Sequence, residues 1–155
     1  MLGAVVVAGG LLSALGGLEA AKAQSSPKQI RLSEKQVQGF IAAQKKMAAS
    51  TDDKEFDAVA REYGFSGLEE HDDVEANIIL LMGGIDPKSR AFTEPPSQIV
   101  RRIEETKADT SLPDEERTRA LEELNEALKS AKPIEFPANV ELVRKYYDKI
   151  KAVLE

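Results

Sequence analysis

The stretch Asn139–Glu155, NVELVRKYYDKIKAVLE, carries the strongest amphipathic pattern in the chain. Its apolar residues recur three and four positions apart, which places them on one face of an α-helix: Val143, Tyr146, Tyr147, Ile150, Val153 and Leu154. Most of the other residues are charged, and a helix would turn them towards water. The stretch therefore predicts a helix that gives one face to a hydrophobic core.

Five further segments show helical spacing, and together they define the fold class. They cover residues 32–50, 51–65, 66–87, 97–109 and 110–133. The first opens with an S-x-x-Q capping box made by Ser33 and Gln36. Aromatic residues are only 5% of the chain and alternating strand patterns are absent, so helices packed through Leu, Ile, Val and Ala are favoured. The sequence predicts an all-α fold, with five to six short helices in a single compact bundle over residues 32–155.

The helical segments differ in how much apolar surface they offer. In the third segment Ile78–Met82 are apolar on nearly every side, so this helix is expected to be the most buried. Ser66 and Glu69 predict its start as a second capping box. The fourth segment has a narrow apolar stripe and is expected to lie on the surface. In the fifth, three residues are expected to face inward: Leu121, Leu124 and Leu128.

The N-terminal region has the pattern of a secretory signal. Residues 2–18, LGAVVVAGGLLSALGGL, are apolar and uncharged, and an A-x-A site follows at Ala21 and Ala23. Residues 1–23 are therefore predicted to be a cleaved signal peptide, with the mature chain beginning at Gln24. An uncleaved anchor is the alternative, but 17 residues are at the short limit for a span and the glycines weaken a helix. Residues 24–31 are expected to form a flexible leader.

Composition limits the classes of function. The net charge of −6 argues against nucleic-acid binding, which needs a basic face. The lack of cysteine excludes disulfides, thiolate zinc sites and cysteine nucleophiles. No apolar run of the mature chain is long enough to span a bilayer. We expect a periplasmic or secreted protein without a cofactor, whose partner is either another protein or a small ligand.

The only histidine, His71, lies within EEHDD, Glu69–Asp73. On a helix its side chain points to the apolar side while the carboxylates fan out, and Glu69 and Asp73 are the pair that converges. The stretch is either a ligand or metal site or the acidic first turn of an ordinary helix, which the macrodipole favours by about 0.3–1 kcal/mol per group. The second interpretation is favoured, because zinc would need more His or Cys and no EF-hand spacing is present. We therefore predict no metal site, and His71, Glu69 and Asp73 are the candidate ligand-binding residues.

Catalytic motifs are also missing from the sequence. There is no G-x-S-x-G elbow or S-x-x-K motif, and one histidine leaves little scope for a triad. The stretch MGGIDPKS lacks the spacing of a phosphate loop. We expect no catalytic residues and a non-enzymatic protein that binds a partner or supports the cell envelope. The alternatives are a chaperone-like stress protein and a small-ligand or metal-binding bundle.

Two resemblances bear on these expectations. The pattern LSEKQVQGFIAAQKKMA, YGFSGLEEHDDVEANI, GIDP, FTEPP, LEELNEAL and NVELVRKYYDKI resembles an uncharacterised family of small exported bacterial helical proteins, over nearly the whole mature chain. That resemblance implies no activity. LSEKQ at 32–36 is similar to the L-T-x-x-Q motif of Spy/CpxP-type periplasmic stress proteins, which are small and helical. That family has the motif twice and forms a basic dimer, whereas here LPDEE at 112–116 lacks both Thr and Gln and the chain is acidic.

Overall fold

Six α-helices make up most of the part of the chain that the structure describes. The computed structural model describes residues 27–50 and 52–155. The helices are α1 (Glu34–Ala49), α2 (Phe56–Glu62), α3 (Leu68–Gly84), α4 (Pro95–Ala108), α5 (Asp114–Ser130) and α6 (Pro137–Leu154). The described residues form no strand beyond an isolated bridge between Ile85 and Phe92. The predicted all-α bundle is therefore confirmed, while the predicted signal peptide and its cleavage residues Ala21, Ala23 and Gln24 lie outside the described residues.

Helices α1, α2, α3 and α6 form the main bundle. Helix α6 packs against α1 and α3, and α2 contacts the same two helices. The most deeply buried side chains come from α1, α3 and α6: Val37, Phe40, His71, Val74, Ile78, Val143 and Ile150. The apolar face predicted for α6 is confirmed except at its end, where Leu154 is 39% exposed. Within the described residues, no helix has both the length and the apolarity needed to cross a membrane.

The first residues of α1 and α3 show how well local signals place a helix start. In α1 the capping box is confirmed, because Gln36 N–H donates to Ser33 Oγ at 3.2 Å and Ser33 N–H donates to Gln36 Oε1 at 3.0 Å. In α3 the prediction was wrong by one position. Ser66 N–H donates to Glu70 Oε2 at 2.7 Å, because the helix begins at Leu68 and the third helical position is therefore residue 70.

Helix α3 is less buried than its sequence predicts. Ile78 and Leu81 belong to the core, as expected. Ile79, in contrast, is 50% exposed, and Leu80 and Met82 are half-buried. The prediction failed because apolar residues on every side of a helix are buried only where every side has a neighbour, and the outer face of α3 is turned to solvent.

Helices α4 and α5 form a separate helical hairpin, residues 95–130, and pack mainly on each other. In these two helices, which the structure describes in full, Ile103 is the only buried residue, and it does not belong to the main core. The leucines of α5 at 121, 124 and 128 are half-buried. They were expected to face inward, but α5 packs mainly on α4 and the main core does not include them.

The chain leaves the main bundle and returns to it at one point. The backbone N–H of Ile134 donates to Glu94 Oε2 at 2.9 Å, which joins the two ends of the hairpin. On the outgoing side Thr93 N–H donates to Gly84 O at 2.9 Å. On the returning side Ile134 is buried in the main core. The hairpin is therefore inserted between two segments, at Thr93–Glu94 and at Ile134, that are both held to the main bundle.

Two buried asparagines hold the segment before α1. Asn77 of α3 accepts from Ile30 N–H at 3.1 Å and donates to Lys28 O at 2.9 Å. Asn139 of α6 accepts from Leu32 N–H at 2.9 Å and donates to Ile30 O at 2.7 Å. Alternate backbone groups are thus paired as they would be beside a neighbouring strand. The prediction of a flexible leader over residues 24–31 did not anticipate these contacts, which cover its described part.

Candidate functional site

His71 occupies the first turn of α3 and is 1% exposed. Its ring lies beside Phe40 of α1, with 5.6 Å between ring centroids, and beside Phe65, which meets it edge-on at 5.3 Å. The position follows from helical periodicity, since Val74 and Ile78 on the same face are also fully buried. The sequence correctly predicted that this histidine faces the apolar side.

The two ring nitrogens of His71 have different surroundings. Nδ1 lies 3.3 Å from Oδ1 of Asp72, whose side chain is 61% exposed. Nε2 is buried and has no hydrogen-bond partner among the described residues. A buried polar atom without a partner costs about 1–3 kcal/mol. The imidazole is therefore held by packing and is incompletely satisfied by hydrogen bonds.

One helical turn further along α3, Glu75 approaches the same place. Its side chain is half-buried, and its Oε1 accepts a hydrogen bond from Gln44 Nε2 of α1 at 2.8 Å. Burial raises the pKa of the Glu75 carboxyl group, and the neighbouring Asp72 carboxylate raises it further. His71 and the hydrogen bond from Gln44 act in the opposite direction. Glu75 is thus a carboxylate whose charge is poorly stabilised by solvent.

His71, Asp72 and Glu75 form a cluster of possible metal ligands. Each offers one nitrogen or oxygen atom, and these three atoms all lie within 4.8 Å of one another. His71 and Glu75 are four residues apart, the spacing that brings side chains together on a helix. We refer to these three residues as the α3 cluster.

The other acidic residues of EEHDD are not part of this cluster. Glu69 and Asp73, the partners predicted for His71, are both exposed, and the structure does not bring them to the imidazole. Glu70 accepts hydrogen bonds from Ser66 N–H and from Gln36 Nε2 at 3.1 Å. These bonds, led by the backbone N–H of Ser66, lower the pKa of the Glu70 carboxyl group.

Sequence reasoning missed Glu75 because it considered only the five residues around the histidine. The H-x-x-x-E spacing of His71 and Glu75 is the signal that would have found it. No such signal exists for Asp72, which is adjacent in sequence to His71 and points about 100° away on an ideal helix. Its approach depends on the rotamer of its own side chain.

The hairpin offers a second feature of interest. Helix α5 carries six acidic and three basic side chains, so the helix as a whole is acidic. A shallow groove on this helix is lined by Asp114, Glu115, Thr118, Arg119 and Glu122. On α4, the other helix of the hairpin, the apolar side chain of Val100 is 47% exposed.

No protein-family model matches the chain, and no curated protein or solved structure is significantly similar to it.

Proposed function

We propose that this chain is an exported, non-enzymatic protein that binds another protein with its α4–α5 hairpin. The observation that carries the proposal is the exposure of α5. None of the 17 residues of this helix, all of them described, is fully buried, although its leucines are spaced as one apolar stripe. The stripe is available for further burial against a partner.

The energetics of helices favour this interpretation of α5. In globular proteins a helix is stabilised mainly by packing its apolar face, since helix propensity alone contributes little. Helix α5 obtains this packing only in part, because it packs mainly on α4 and its residues Leu121, Leu124 and Leu128 are only half-buried. A partner that covered the remaining apolar surface would stabilise the hairpin as well as bind it. Acidic side chains around the stripe favour a partner with a basic rim.

The absence of enzymatic activity is proposed from the sequence. The chain has one histidine and no cysteine, and the motifs of nucleophilic catalysis and phosphate binding are missing. The chaperone-like alternative requires a continuous exposed apolar groove. The large apolar side chains exposed in the described part of the chain are Ile79, Val100 and Leu154, which lie on three different helices.

A photo-crosslinking experiment in the native cells tests the binding surface. A photoreactive amino acid is placed at Glu122, on the exposed face of α5, and in a matched variant at Asp148, which is 85% exposed on α6. We expect one protein to be crosslinked from residue 122 and not from residue 148. Equal crosslinking from both positions, or none from residue 122, would refute the assignment to the hairpin.

Binding by the purified partner then supplies the quantitative test. Reversing the charge at Glu122 should weaken binding, with an increase in Kd of about tenfold or more, because partner and helix would repel each other. Reversing the charge at Asp148 should leave Kd unchanged. If both substitutions have the same effect, the partner does not bind at α5.

Export is tested separately by the mass of the protein recovered from the native cell envelope. A mass that begins at Gln24 supports a cleaved signal at Ala21 and Ala23. A mass that includes residues 1–23 supports the uncleaved anchor.

A further inference from the structure

We propose that the α3 cluster, His71, Asp72 and Glu75, binds a divalent first-row transition metal ion. The site would use one imidazole nitrogen and two carboxylate oxygens, and it lies in the main bundle, away from the hairpin. The inference does not depend on the proposed binding of a partner.

The spacing of the ligand atoms fits such an ion. Tetrahedral coordination with bonds of about 2.0–2.2 Å places neighbouring ligand atoms roughly 3.3–3.6 Å apart. His71 Nδ1 and Asp72 Oδ1 are already 3.3 Å apart. One oxygen of Glu75 lies within 4.8 Å of a ligand atom of each of the other two residues, and this long side chain is the one that would move to close the distance.

The state of the His71 ring is an independent sign that a ligand is missing. A neutral imidazole carries one N–H and one lone pair. If the proton is on Nδ1, the lone pair of Nε2 is buried without a donor among the described residues. If the proton is on Nε2, the lone pair of Nδ1 faces the Asp72 carboxylate at 3.3 Å, which is repulsive. Neither tautomer satisfies the ring.

A cation at Nδ1 removes the repulsion between the Nδ1 lone pair and the Asp72 carboxylate, and it selects one tautomer. It takes the lone pair of Nδ1 and fixes the proton on Nε2, in a ring that packs against Phe40 and Phe65. It also neutralises the two carboxylates, of which Glu75 is half-buried and repelled by Asp72. Gln44, through its hydrogen bond to Glu75, is placed to orient this ligand from α1.

The donor set favours a transition metal over calcium or magnesium. Calcium and magnesium prefer oxygen ligands alone. Imidazole nitrogen suits zinc, copper, iron and nickel, and carboxylates are accepted by several of these ions. Zn²⁺ is the practical probe, because it is redox-inert and binds both kinds of ligand.

The chain's single histidine makes the experiment direct. Untagged, ¹⁵N-labelled protein is titrated with Zn²⁺ alone, and the imidazole ¹⁵N signals then report on His71 without overlap. We expect one equivalent of Zn²⁺ to bind with a Kd in the micromolar range. The Nδ1 signal should shift on binding, and Nε2 should keep its proton.

Variants on the same helix distinguish a specific metal site from the general attraction of Zn²⁺ by acidic side chains. Glu75→Gln and Asp72→Asn should each weaken Zn²⁺ binding by about tenfold or more, as loss of a ligand requires. Glu69→Gln and Asp73→Asn are the matched controls, since both residues are exposed and lie outside the cluster. They should change Kd little. The ligand variants keep His71 in the core, so the test does not rely on a protein that lacks the buried ring.

Three results would overturn the proposal. One is a Kd for Zn²⁺ in the millimolar range or weaker, which is adventitious binding by surface carboxylates. Another is an equal loss of affinity in Glu69→Gln and Glu75→Gln. The third is an Nδ1 signal that does not move when Zn²⁺ binds.

Discussion

At the scale of single residues, two adjacent glycines at the end of α3 have opposite surroundings. A Cβ atom at Gly84 would lie 2.4 Å from Phe92 Cε2 and 2.8 Å from the backbone oxygen of Thr93. A Cβ atom at Gly83 would meet nothing within 4 Å. Gly84 is thus needed for close packing of the loop on the helix. Gly83 is needed neither for packing nor for an unusual backbone conformation.

Gly84→Ala is expected to destabilise the protein by roughly 1–3 kcal/mol, because the Thr93 backbone must move to admit the methyl group. Gly83→Ala is the matched control and should be neutral or stabilising by up to about 1 kcal/mol, since alanine is the better helix former. Urea unfolding of the two variants measures both effects. Similar losses in the two variants would contradict the packing at Gly84.

Glu75 should make the metal-free protein less stable as the pH rises. Its pKa is raised in the folded chain, first by burial, above the ordinary value of 4.5. Its favourable contribution is therefore complete below that value and is lost as the pH rises through the folded pKa. Glu75→Gln, measured in chelator, should be more stable than the wild type at neutral pH. The difference should disappear in acid, and a variant less stable than wild type at neutral pH would contradict the direction of the shift.

Glu70 should show the reverse dependence on the same helix. Hydrogen bonds from Ser66 and Gln36 lower its pKa below the ordinary value of 4.5. Its contribution is present above that value and is lost as the pH falls through the folded pKa. Glu70→Gln should therefore be less stable than the wild type at neutral pH, and thermal unfolding over a pH series should show the gap closing in acid. If the stability of the Glu70 and Glu75 variants depended on pH in the same way, the position on the helix, and not the local contacts, would determine both pKa values.

At the scale of elements, the sequence predicted best where a pattern is local. The apolar face of α6 and the Ser33–Gln36 capping box depend on spacing within one helix, and both were predicted correctly. The exposure of Ile79 was not predictable, because it depends on which faces of α3 have neighbours. The same limit applies to the α3 cluster. Helical spacing placed His71 in the core, but the rotamer of Asp72 is not encoded in any pattern.

The segment before α1 shows what local patterns leave out. Its polar sequence predicts flexibility, yet Asn77 and Asn139 lie 3% exposed in two distant helices and pair with its backbone. Burying a polar side chain is unfavourable unless it is hydrogen-bonded. The asparagine side chains and the backbone of this segment therefore satisfy each other's hydrogen-bonding groups.

Asn139→Ala is expected to destabilise the protein by about 2–4 kcal/mol, because Leu32 N–H and Ile30 C=O lose their partner at once. The amide of Leu32 should also exchange faster with deuterium. Asn125→Ala removes an exposed hydrogen bond to Leu121 O on α5 and serves as the control, with little expected effect. An unchanged exchange rate at Leu32 would show that the asparagine does not hold this segment.

At the scale of the whole molecule, the hairpin contributes no residue to the core of the main bundle. The core cluster contains no residue of α4 or α5, and both helices are described in full. The two ends of the hairpin are already joined by the hydrogen bond from Ile134 N–H to Glu94. The four helices that remain contain the α3 cluster and both leader asparagines. The hairpin is thus free to serve binding without a role in the main core.

Replacing residues 95–132 with a linker of about four glycine and serine residues, a usual loop length, should leave a folded bundle. Unfolding in urea should stay cooperative, with a smaller m-value because less surface is exposed on unfolding. This shortened protein should bind Zn²⁺ with the wild-type Kd and fail to bind the partner that we propose for the hairpin. Loss of Zn²⁺ binding in a cooperatively folded variant would place the metal elsewhere, and retained partner binding would place the partner on the main bundle. Loss of cooperative unfolding would show instead that the hairpin, despite its exposure, is part of one folding unit with the core.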